Sequence, residues 1–271
     1  MREPPNVKMV VFDLDGTLYR GEQAIPFASE SVNDLRSRGV LVRYLTNNSG
    51  QTKQFYQRKL QGMGFRAELP EIYSSATGTL AHLLETRVKT AFIVGMPGLV
   101  ATLQGGGIRV VNAMEQGNLA SSSEEVAEAV VVGICRTLTY ELLDGALQQL
   151  LKGALYIATN PDSTFPLAEG RIAPGAGSIV AAVSTCSGKT PFVVGKPNPY
   201  LVQLVASEAQ VPLDQTLVVG DRLDTDIESG RRAGAQTHLV LTGVETTAPE
   251  GQSFSPDLRG LLSLLHPSNV H

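Results

Sequence analysis

The sequence has few of the residues that build disulfide frameworks or metal sites with sulfur and imidazole ligands. Its 271 residues include two cysteines, four histidines and no tryptophan. Cys135 and Cys186 are too few for a disulfide framework and too far apart for a CxxC metal motif, so we interpret both as small apolar core residues. The histidines are dispersed and show no HExxH spacing, which argues against a histidine-bound metal.

Long apolar runs and an excess of basic charge are also missing. No run reaches the roughly 18 apolar residues of a membrane span. Asp13 and Asp15 interrupt the region where a signal peptide needs a continuous apolar stretch. We therefore expect a cytoplasmic protein with no membrane partner. The formal net charge is −4 and the basic residues are scattered, so nucleic acid is not expected as a partner either.

What the sequence does contain is a series of short apolar runs separated by amphipathic segments. The runs predict strands at Val7–Phe12, Val40–Leu45, Thr90–Gly95, Ala129–Ile134, Ala154–Ala158, Pro191–Gly195, Thr216–Gly220 and Thr237–Leu241. Nearly continuous apolar residues are typical of parallel strands that are covered on both faces. The segments between them predict helices at Ala28–Arg38, Thr52–Gln61, Tyr140–Leu151, Tyr200–Ala209 and Thr225–Ala233. This alternation predicts an α/β architecture.

Polar clusters follow four of the predicted strands. Their sequences are DLDGT, TNNSG, KPNP and DRLDTD. Because ligands of open parallel sheets bind outside the carboxyl ends of the strands, we expect the four clusters to form one site. Residues 81–187 contain strands but no comparable cluster, which predicts an inserted α/β domain. Residues 1–80 and 188–271 are then expected to form a core with a Rossmann-like, doubly wound parallel sheet.

Two aspartates at the end of the first strand suggest a bound cation. Asp13 and Asp15 are two residues apart in an extended segment, so their side chains leave on the same side. Neighbouring parallel strands are about 4.8 Å apart, which allows Asp221 to approach Asp13. Carboxylates this close repel unless a cation holds them, and hard oxygen ligands favour Mg²⁺. The alternative is that the aspartates only form a turn.

The same residues can support phosphoryl transfer. Asp13 is placed to attack as a nucleophile, and Asp15 is available as a general acid and base. Lys196 supplies positive charge, while Thr46 and Asn47 supply a hydroxyl and backbone amides before a helix, where anions bind. The simpler alternatives are that Thr46 and Asn47 cap that helix and that Lys196 is a solvated surface residue.

Taken in order, these motifs resemble a known superfamily. D-x-D-G-T at Asp13–Thr17, Thr46-Asn47, Lys196 before proline and GDR-x-x-TD at Gly220–Asp226 resemble the four motifs of the haloacid dehalogenase-like phosphatases. TNNS, ATNPD, PGAGS, VGKPNPYL and VGDRLDTDI resemble its NagD-like, p-nitrophenylphosphatase branch. The resemblance extends from Val7 to about Gly243.

The resemblance implies roles for individual residues. It implies Mg²⁺ on the Asp13 carboxylate, the Asp15 main-chain carbonyl and Asp221, with Asp226 behind the metal. The neighbouring Asp224 is interpreted as a residue of the helix start. The resemblance also implies a large cap domain between the second and third motifs, which fits the predicted insertion. Family members are often dimeric through the cap, so a homodimer is an expectation.

Substrate selection is expected to depend on the cap, because the core motifs are chemically generic. The segment Thr159–Arg171 has a counterpart in the family that faces the active site. Four of its side chains are predicted to contact the leaving group by hydrogen bonding or packing: Asn160, Asp162, Phe165 and Glu169.

The sequence therefore predicts a Mg²⁺-dependent phosphatase of small phosphorylated metabolites, with a phospho-aspartyl intermediate at Asp13. The substrate could be a sugar phosphate, a nucleotide, or a p-nitrophenyl phosphate-like ester. One alternative is a phosphotransferase that passes the phosphoryl group to a sugar hydroxyl. A second is a non-catalytic protein that binds a phosphorylated ligand.

Overall fold

The computed structural model describes residues 6–115, 118–166 and 171–265. They form two compact units. The first takes the described residues up to Thr46, Lys53–Tyr73 and the described residues from Lys196 onward. The second takes Asn47–Thr52 and Ser74–Gly195. The second unit is thus wider than the predicted insertion at 81–187, and it also contains the short segment directly after Thr46.

Strands and helices alternate along most of the described chain. In chain order, the strands are β1 (Met9–Phe12), β2 (Tyr19–Arg20), β3 (Gln23–Ala24), β4 (Leu41–Thr46), β5 (Ile72–Ser74), β6 (Thr90–Val94), β7 (Arg109–Val110), β8 (Met114–Glu115), β9 (Asn118–Leu119), β10 (Ala129–Val132), β11 (Leu155–Ala158), β12 (Thr164–Pro166), β13 (Ile172–Pro174), β14 (Phe192–Val193), β15 (Thr216–Gly220), β16 (Gln236–Val240) and β17 (Phe254–Ser255). The α-helices are α1 (Ala28–Ser37), α2 (Lys53–Gly62), α3 (Ser75–Glu85), α4 (Pro97–Gly105), α5 (Tyr140–Leu151), α6 (Ala176–Ser187), α7 (Tyr200–Glu208), α8 (Glu228–Ala233) and α9 (Leu258–Leu265).

The first unit contains a six-stranded sheet in the order β17-β16-β15-β1-β4-β5. β1 pairs in parallel with β15 on one side and with β4 on the other. The chain first builds outward through β4 and β5, then returns to the other side of β1 with β15. The strand order therefore reverses between β1 and β15, which is where doubly wound sheets bind ligands. This confirms the predicted fold class.

Both faces of this sheet are covered. Side chains alternate along a strand, so Val10 and Phe12 point to one face while Met9 and Val11 point to the other. All four side chains are fully buried. Val10 and Phe12 join a core that includes residues of α1 and α9. Full burial on both faces explains why β1 reads as an unbroken apolar run.

The second unit has its own parallel sheet, in the order β14-β11-β10-β6-β7. Its core combines strand residues such as Val130 and Val132 with residues of α5 and α6. We expected the strand before Lys196 to lie in the first sheet, but β14 pairs with β11 in the second. The reason is that the chain passes from the second unit to the first only after Gly195.

The two cysteines differ in environment. Cys135 is buried, as predicted, whereas Cys186 is exposed, so its interpretation as a core residue was wrong. In α6 the positions that face the core are Ile179, Val180 and Val183. Cys186 continues this spacing, but it lies in the last turn of α6, where its side chain is exposed. Within the described residues, no helix is long and apolar enough to span a bilayer.

Buried His238 in β16 is expected to make the free energy of unfolding depend on pH. Its ring nitrogens lie 2.8 Å from Ser253 Oγ and 2.8 Å from Ser255 Oγ, and burial lowers the histidine pKa to about 4. In the unfolded chain the pKa is about 6.5, so the unfolded state binds more protons as the pH falls from about 6.5 to about 4. We expect this residue to lower the free energy of unfolding by about 2 kcal/mol between pH 7 and pH 5.

Urea unfolding of the wild type and His238→Gln at both pH values checks this expectation. Glutamine does not titrate, so the variant should lose less stability than the wild type over the same pH interval. The other titrating groups are common to both proteins and cancel in the comparison. Equal pH dependence in the two proteins would contradict the assignment to His238.

Candidate active site

A buried lysine joins two carboxylates at the carboxyl ends of β1 and β15. Lys196 Nζ lies 2.5 Å from Asp13 Oδ1 and 2.6 Å from Asp226 Oδ1. Asp13 follows β1 directly, and its backbone N–H donates to Val219 of β15. Lys196 is 3% exposed and Asp226 is 2% exposed. The structure therefore brings together three of the predicted residues, and it shows that Lys196 is not a solvated surface lysine.

Burial and charge shift the pKa values in opposite directions in this group. Burial raises the pKa of Asp13 well above its ordinary value, and the attraction of Lys196 only partly opposes this effect. Burial lowers the pKa of Lys196, but attraction to Asp13 and Asp226 outweighs it and raises the lysine pKa well above its ordinary value. The lysine is therefore a fixed positive charge at neutral pH.

Asp221 lies in a close-fitting cradle beside this group. Its Oδ2 accepts a hydrogen bond of 2.7 Å from the Val244 N–H, and Thr17 Oγ1 lies 3.4 Å from its Oδ1. A Cβ atom at Gly16 or Gly243 would overlap the carboxylate. Gly16 also has a φ of +86°, a conformation that residues with side chains rarely adopt. Burial, followed by repulsion from a neighbouring aspartate, raises the pKa of Asp221 to about 6.

Three carboxylates converge here around a single ammonium group. One oxygen of each of Asp13, Asp221 and Asp226 lies within 4.8 Å of the others. Lys196 neutralises only one of the three charges, so a divalent cation fits the remaining negative charge. Both oxygens of Asp226 accept hydrogen bonds, from Lys196 and from the Arg222 N–H at 3.1 Å. Asp226 is thus held in place by donors from two other residues.

The backbone that carries Asp226 departs from the predicted helix. Leu223–Ile227 form a π-helical turn, and the regular helix α8 begins only at Glu228. Such turns often occur at functional sites, because they redirect one side chain within a helix. Here the turn buries Asp226, whereas Asp224 remains exposed and pairs with Arg222 at 2.8 Å. Its place in the first turn of this segment agrees with the interpretation of Asp224 as a residue of the helix start.

Asp15 lies where the chain leaves β1 and enters the β2–β3 hairpin. Asp15 forms an isolated β-bridge with Tyr19, and the backbone N–H of Gly16 donates a hydrogen bond to the Tyr19 carbonyl. Asp15 keeps solvent-exposed surface. The surrounding protein nevertheless removes enough water to raise the pKa of its carboxyl group, which nearby Lys59 partly offsets. A raised carboxyl pKa suits a group that must give and take a proton.

Thr46 and Asn47 belong to different units. Thr46 is the last residue of β4, and the pairing of Tyr44 with Phe12 places it at the same edge of the first sheet as Asp13. Asn47 belongs to the second unit. Its side-chain Nδ2 lies 3.1 Å from each carboxylate oxygen of Asp162. Its carbonyl oxygen accepts a hydrogen bond of 2.7 Å from Asn160 Nδ2.

Two other cap residues, Phe165 and Glu169, were also predicted to contact the leaving group. Phe165 lies in β12, with the Arg136 guanidinium 5.5 Å from its ring centroid. Its contact with a leaving group stays a prediction. Glu169 lies outside the described residues.

Comparison with known proteins identifies the family. A haloacid dehalogenase-like hydrolase family model matches residues 10–109, and an HAD-hydrolase-like model matches residues 193–260. The glycerol-3-phosphate phosphatase of Gallus gallus is 37% identical over 254 residues, which cover 89% of this chain and 81% of that protein. The chain belongs to the haloacid dehalogenase-like hydrolase family.

Two further relatives define the branch within this family. The dihydroxyacetone phosphatase of Corynebacterium glutamicum (strain R) is 35% identical over 238 residues, covering 87% of this chain and 82% of that protein. The structure of a p-nitrophenyl phosphatase from Archaeoglobus fulgidus aligns with a TM-score of 0.86 and 29% identity, covering 96% of this chain and 99% of that one. These similarities confirm the predicted NagD-like branch and the enzyme class, a phosphoric monoester phosphatase. They leave no support for a non-catalytic protein.

Several residues of this haloacid dehalogenase-like site were not singled out from the sequence. Thr17, Gly16 and Gly243 shape the Asp221 cradle, and Thr242 Oγ1 donates to the Gly16 carbonyl at 2.7 Å. Gly16 and Thr17 were part of the quoted D-x-D-G-T motif. The signal for Thr242 and Gly243 was their place directly after the apolar run Thr237–Leu241, where the other polar clusters also follow strands.

Proposed function

We propose that this protein is a Mg²⁺-dependent phosphatase of small phosphomonoesters that works through a phospho-aspartyl intermediate at Asp13. The observation that carries the proposal is the Asp13–Lys196–Asp226 group beside Asp221, at the point where the strand order of the first sheet reverses. A nucleophile, a fixed positive charge and a carboxylate pair for a hard cation are the parts that phosphoryl transfer needs.

In the first step, an Asp13 carboxylate oxygen attacks the phosphorus atom of the ester. A bond forms between this oxygen and phosphorus, and the bond from phosphorus to the leaving oxygen breaks. Asp15 donates its proton to the leaving oxygen, which departs as an alcohol. The raised pKa of Asp15 supports this role, because it increases the protonated fraction of the carboxyl group.

In the second step, water hydrolyses the intermediate. Asp15, now a carboxylate, accepts a proton from the water as its oxygen bonds to phosphorus. The bond between phosphorus and the Asp13 oxygen breaks, which restores the aspartate and releases inorganic phosphate. Lys196 stays positively charged and stabilises the negative charge on the phosphoryl oxygens in both steps. Thr46 and Asn47 are proposed to donate hydrogen bonds to the same oxygens.

Mg²⁺ would be held by the carboxylates of Asp13 and Asp221 and by the Asp15 main-chain carbonyl, and when bound it would supply positive charge for the phosphoryl group. The cradle of Asp221 supports this assignment, since backbone and hydroxyl donors fix the orientation of its carboxylate. Asp226 is proposed to hold Lys196 behind the cation, with its Oδ1 accepting a hydrogen bond of 2.6 Å from the lysine ammonium and its Oδ2 accepting one from the Arg222 N–H.

The second unit is proposed to act as the cap that selects the substrate. Glycerol-3-phosphate phosphatase and dihydroxyacetone phosphatase are the names of two relatives, so three-carbon phosphoesters are the first substrates to test. The cytoplasmic location and the homodimer through the cap remain predictions from the sequence.

The decisive experiment measures phosphate release from glycerol-3-phosphate, dihydroxyacetone phosphate, a nucleoside monophosphate and p-nitrophenyl phosphate. Each ester is tested with Mg²⁺ and after removal of divalent ions with a chelator. We expect release with Mg²⁺, a fall of at least about 100-fold without it, and recovery when Mg²⁺ is restored. Full activity in the chelated protein would contradict the proposed metal requirement. No release from any ester would overturn the proposed function.

An added alcohol acceptor separates hydrolysis from transfer. A hydrolase yields inorganic phosphate in proportion to the ester consumed, whereas a phosphotransferase yields a new phosphoester. We expect inorganic phosphate as the main product even at high acceptor concentration. A predominant new phosphoester would identify the enzyme as a transferase.

A further inference from the structure

Asn47 connects the segment Asn47–Thr52 to several other residues of the second unit. The Asn47 carbonyl oxygen accepts hydrogen bonds from Asn160 Nδ2, at 2.7 Å, and from the hydroxyl of Ser75. The Asn47 side-chain amide donates to both carboxylate oxygens of Asp162, at 3.1 Å each. Asn47 is therefore held at its backbone and at its side chain by the two residues of the ATNPD motif that were predicted to contact the leaving group.

The polar atoms of Asn160 are committed to protein partners. Its Nδ2 donates to the Asn47 carbonyl and lies 3.4 Å from Thr159 Oγ1. Its Oδ1 accepts a hydrogen bond of 3.1 Å from the Asp162 N–H. The side chain is 4% exposed. An amide that is buried and bonded at both ends serves to hold other groups in place and is poorly suited to recognise a variable leaving group.

The residues around Asn160 and Asp162, which hold Asn47, are themselves closely packed. A Cβ atom at Gly195 would approach Asn47 Oδ1 and the Thr159 carbonyl to 2.6 Å each, so only glycine fits there. Ser49 Oγ lies 3.1 Å from Thr159 Oγ1 in the same region. On the other side, the Gly177 N–H donates to the Asp162 carbonyl at 2.8 Å, which ties Asp162 to the start of α6. These contacts restrict the movement of Asn160 and Asp162.

We infer that Asn160 and Asp162 are positioning residues that hold Asn47 in the geometry needed to bind the phosphoryl group. They would then affect all substrates alike, since every substrate carries the same phosphoryl group. The inference rests on the proposed role of Asn47 in phosphate binding. The ATNPD motif would then act on the phosphoryl group, which all substrates share, whereas the sequence suggested contact with the leaving group, which varies between substrates.

The test compares Asn160→Ala, Asp162→Ala and Asp162→Asn with the wild type in the full-length protein. For each variant, kcat and KM are measured with glycerol-3-phosphate, dihydroxyacetone phosphate and p-nitrophenyl phosphate, and the inhibition constant of inorganic phosphate is measured separately. We expect Asn160→Ala and Asp162→Ala to lower kcat/KM about tenfold, by the same factor for the three esters. The inhibition constant of inorganic phosphate should rise, although phosphate has no leaving group.

Asp162→Asn is the conservative variant. Its amide keeps one oxygen that can accept from Asn47 Nδ2, so kcat/KM should stay within about threefold of the wild type. Asn112→Ala is the matched control, because Asn112 is a fully buried asparagine of the same unit that bonds the backbone of Ile93 and Ala120. The control should lower the thermal unfolding midpoint without changing the inhibition constant of phosphate. Thermal unfolding of every variant identifies any that fails to fold.

Three results would overturn the inference while the wild type still hydrolyses the esters. The first is a loss in kcat/KM that differs between the esters by more than about threefold, with phosphate inhibition unchanged, which would indicate contact with the leaving group. The second is lowered unfolding midpoints with normal kinetics, which would indicate a purely structural role. The third is equal losses in Asp162→Asn and Asp162→Ala, because the retained acceptor should matter. A wild type that releases no phosphate would instead overturn the proposed function itself.

Discussion

Replacing Asp13 with asparagine is expected to lower kcat for every phosphomonoester by at least about 10⁴-fold. The amide has almost the same size as the carboxylate, and its oxygen can still accept the hydrogen bond that Lys196 donates. It lacks the negative charge of a nucleophile and cannot form the phospho-aspartyl bond. Single-turnover phosphate release with saturating Mg²⁺ and substrate measures the effect directly.

Asp224→Asn is the matched control for this prediction. Asp224 follows β15 in the same loop as Asp226, but it is exposed and pairs with Arg222. We expect its replacement to change kcat less than about twofold. Both variants should keep the wild-type circular dichroism spectrum. An Asp13→Asn enzyme with more than about 1% of wild-type turnover would exclude Asp13 as the obligatory nucleophile.

Replacing Lys196 with methionine should damage both activity and stability. The variant leaves three carboxylates within 4.8 Å of one another without the ammonium group that lies between two of them. Removing one partner of a buried ion pair costs about 3–5 kcal/mol, because the other charge stays buried without compensation. Loss of the positive charge near the phosphoryl oxygens should lower kcat about 10³-fold. Urea unfolding and steady-state kinetics measure the two effects separately.

The double variant Lys196→Met/Asp226→Asn separates charge repulsion from catalysis. Removing the Asp226 charge should restore about half of the lost free energy of unfolding, because one buried carboxylate no longer lacks a partner. Activity should not recover, since the phosphoryl group still lacks its positive charge. Recovery of activity in the double variant would show that Lys196 acts only by neutralising Asp226.

The sequence predicted the first sheet and the aspartates at the carboxyl ends of its strands, for a physical reason. A parallel strand that is buried on both faces must be apolar throughout, so β1 and β15 stand out as continuous runs that end abruptly at Asp13 and Asp221. The same rule placed strands near β4, β6, β10, β11, β14 and β16. Since such strands align their carboxyl ends, the approach of Asp13 and Asp221 followed from their positions alone.

Other features depend on long-range packing and could not be predicted in this way. Membership of β14 in the second sheet depends on its pairing with β11, and nothing in the apolar run Pro191–Gly195 distinguishes one sheet from the other. The burial of Asp226 depends on a π-helical turn that has no simple sequence signature. Asn160 was predicted to contact the substrate because the counterpart of its segment in the family faces the active site, but its hydrogen-bond partner Asn47 is 113 residues away.

The assignment of Asn47–Thr52 to the second unit has a consequence for recombining parts of related enzymes. The simplest cap exchange between two relatives would move one continuous insert. Here a transplant of Ser74–Gly195 alone would pair a foreign Asn160 and Asp162 with the host's Asn47, and the hydrogen bonds between them would depend on a chance match. A chimaera that preserves them needs two grafts, with junctions on both sides of Asn47–Thr52 as well as at the ends of the long insert. Natural divergence faces the same constraint, so we expect changes in these two stretches to be inherited together.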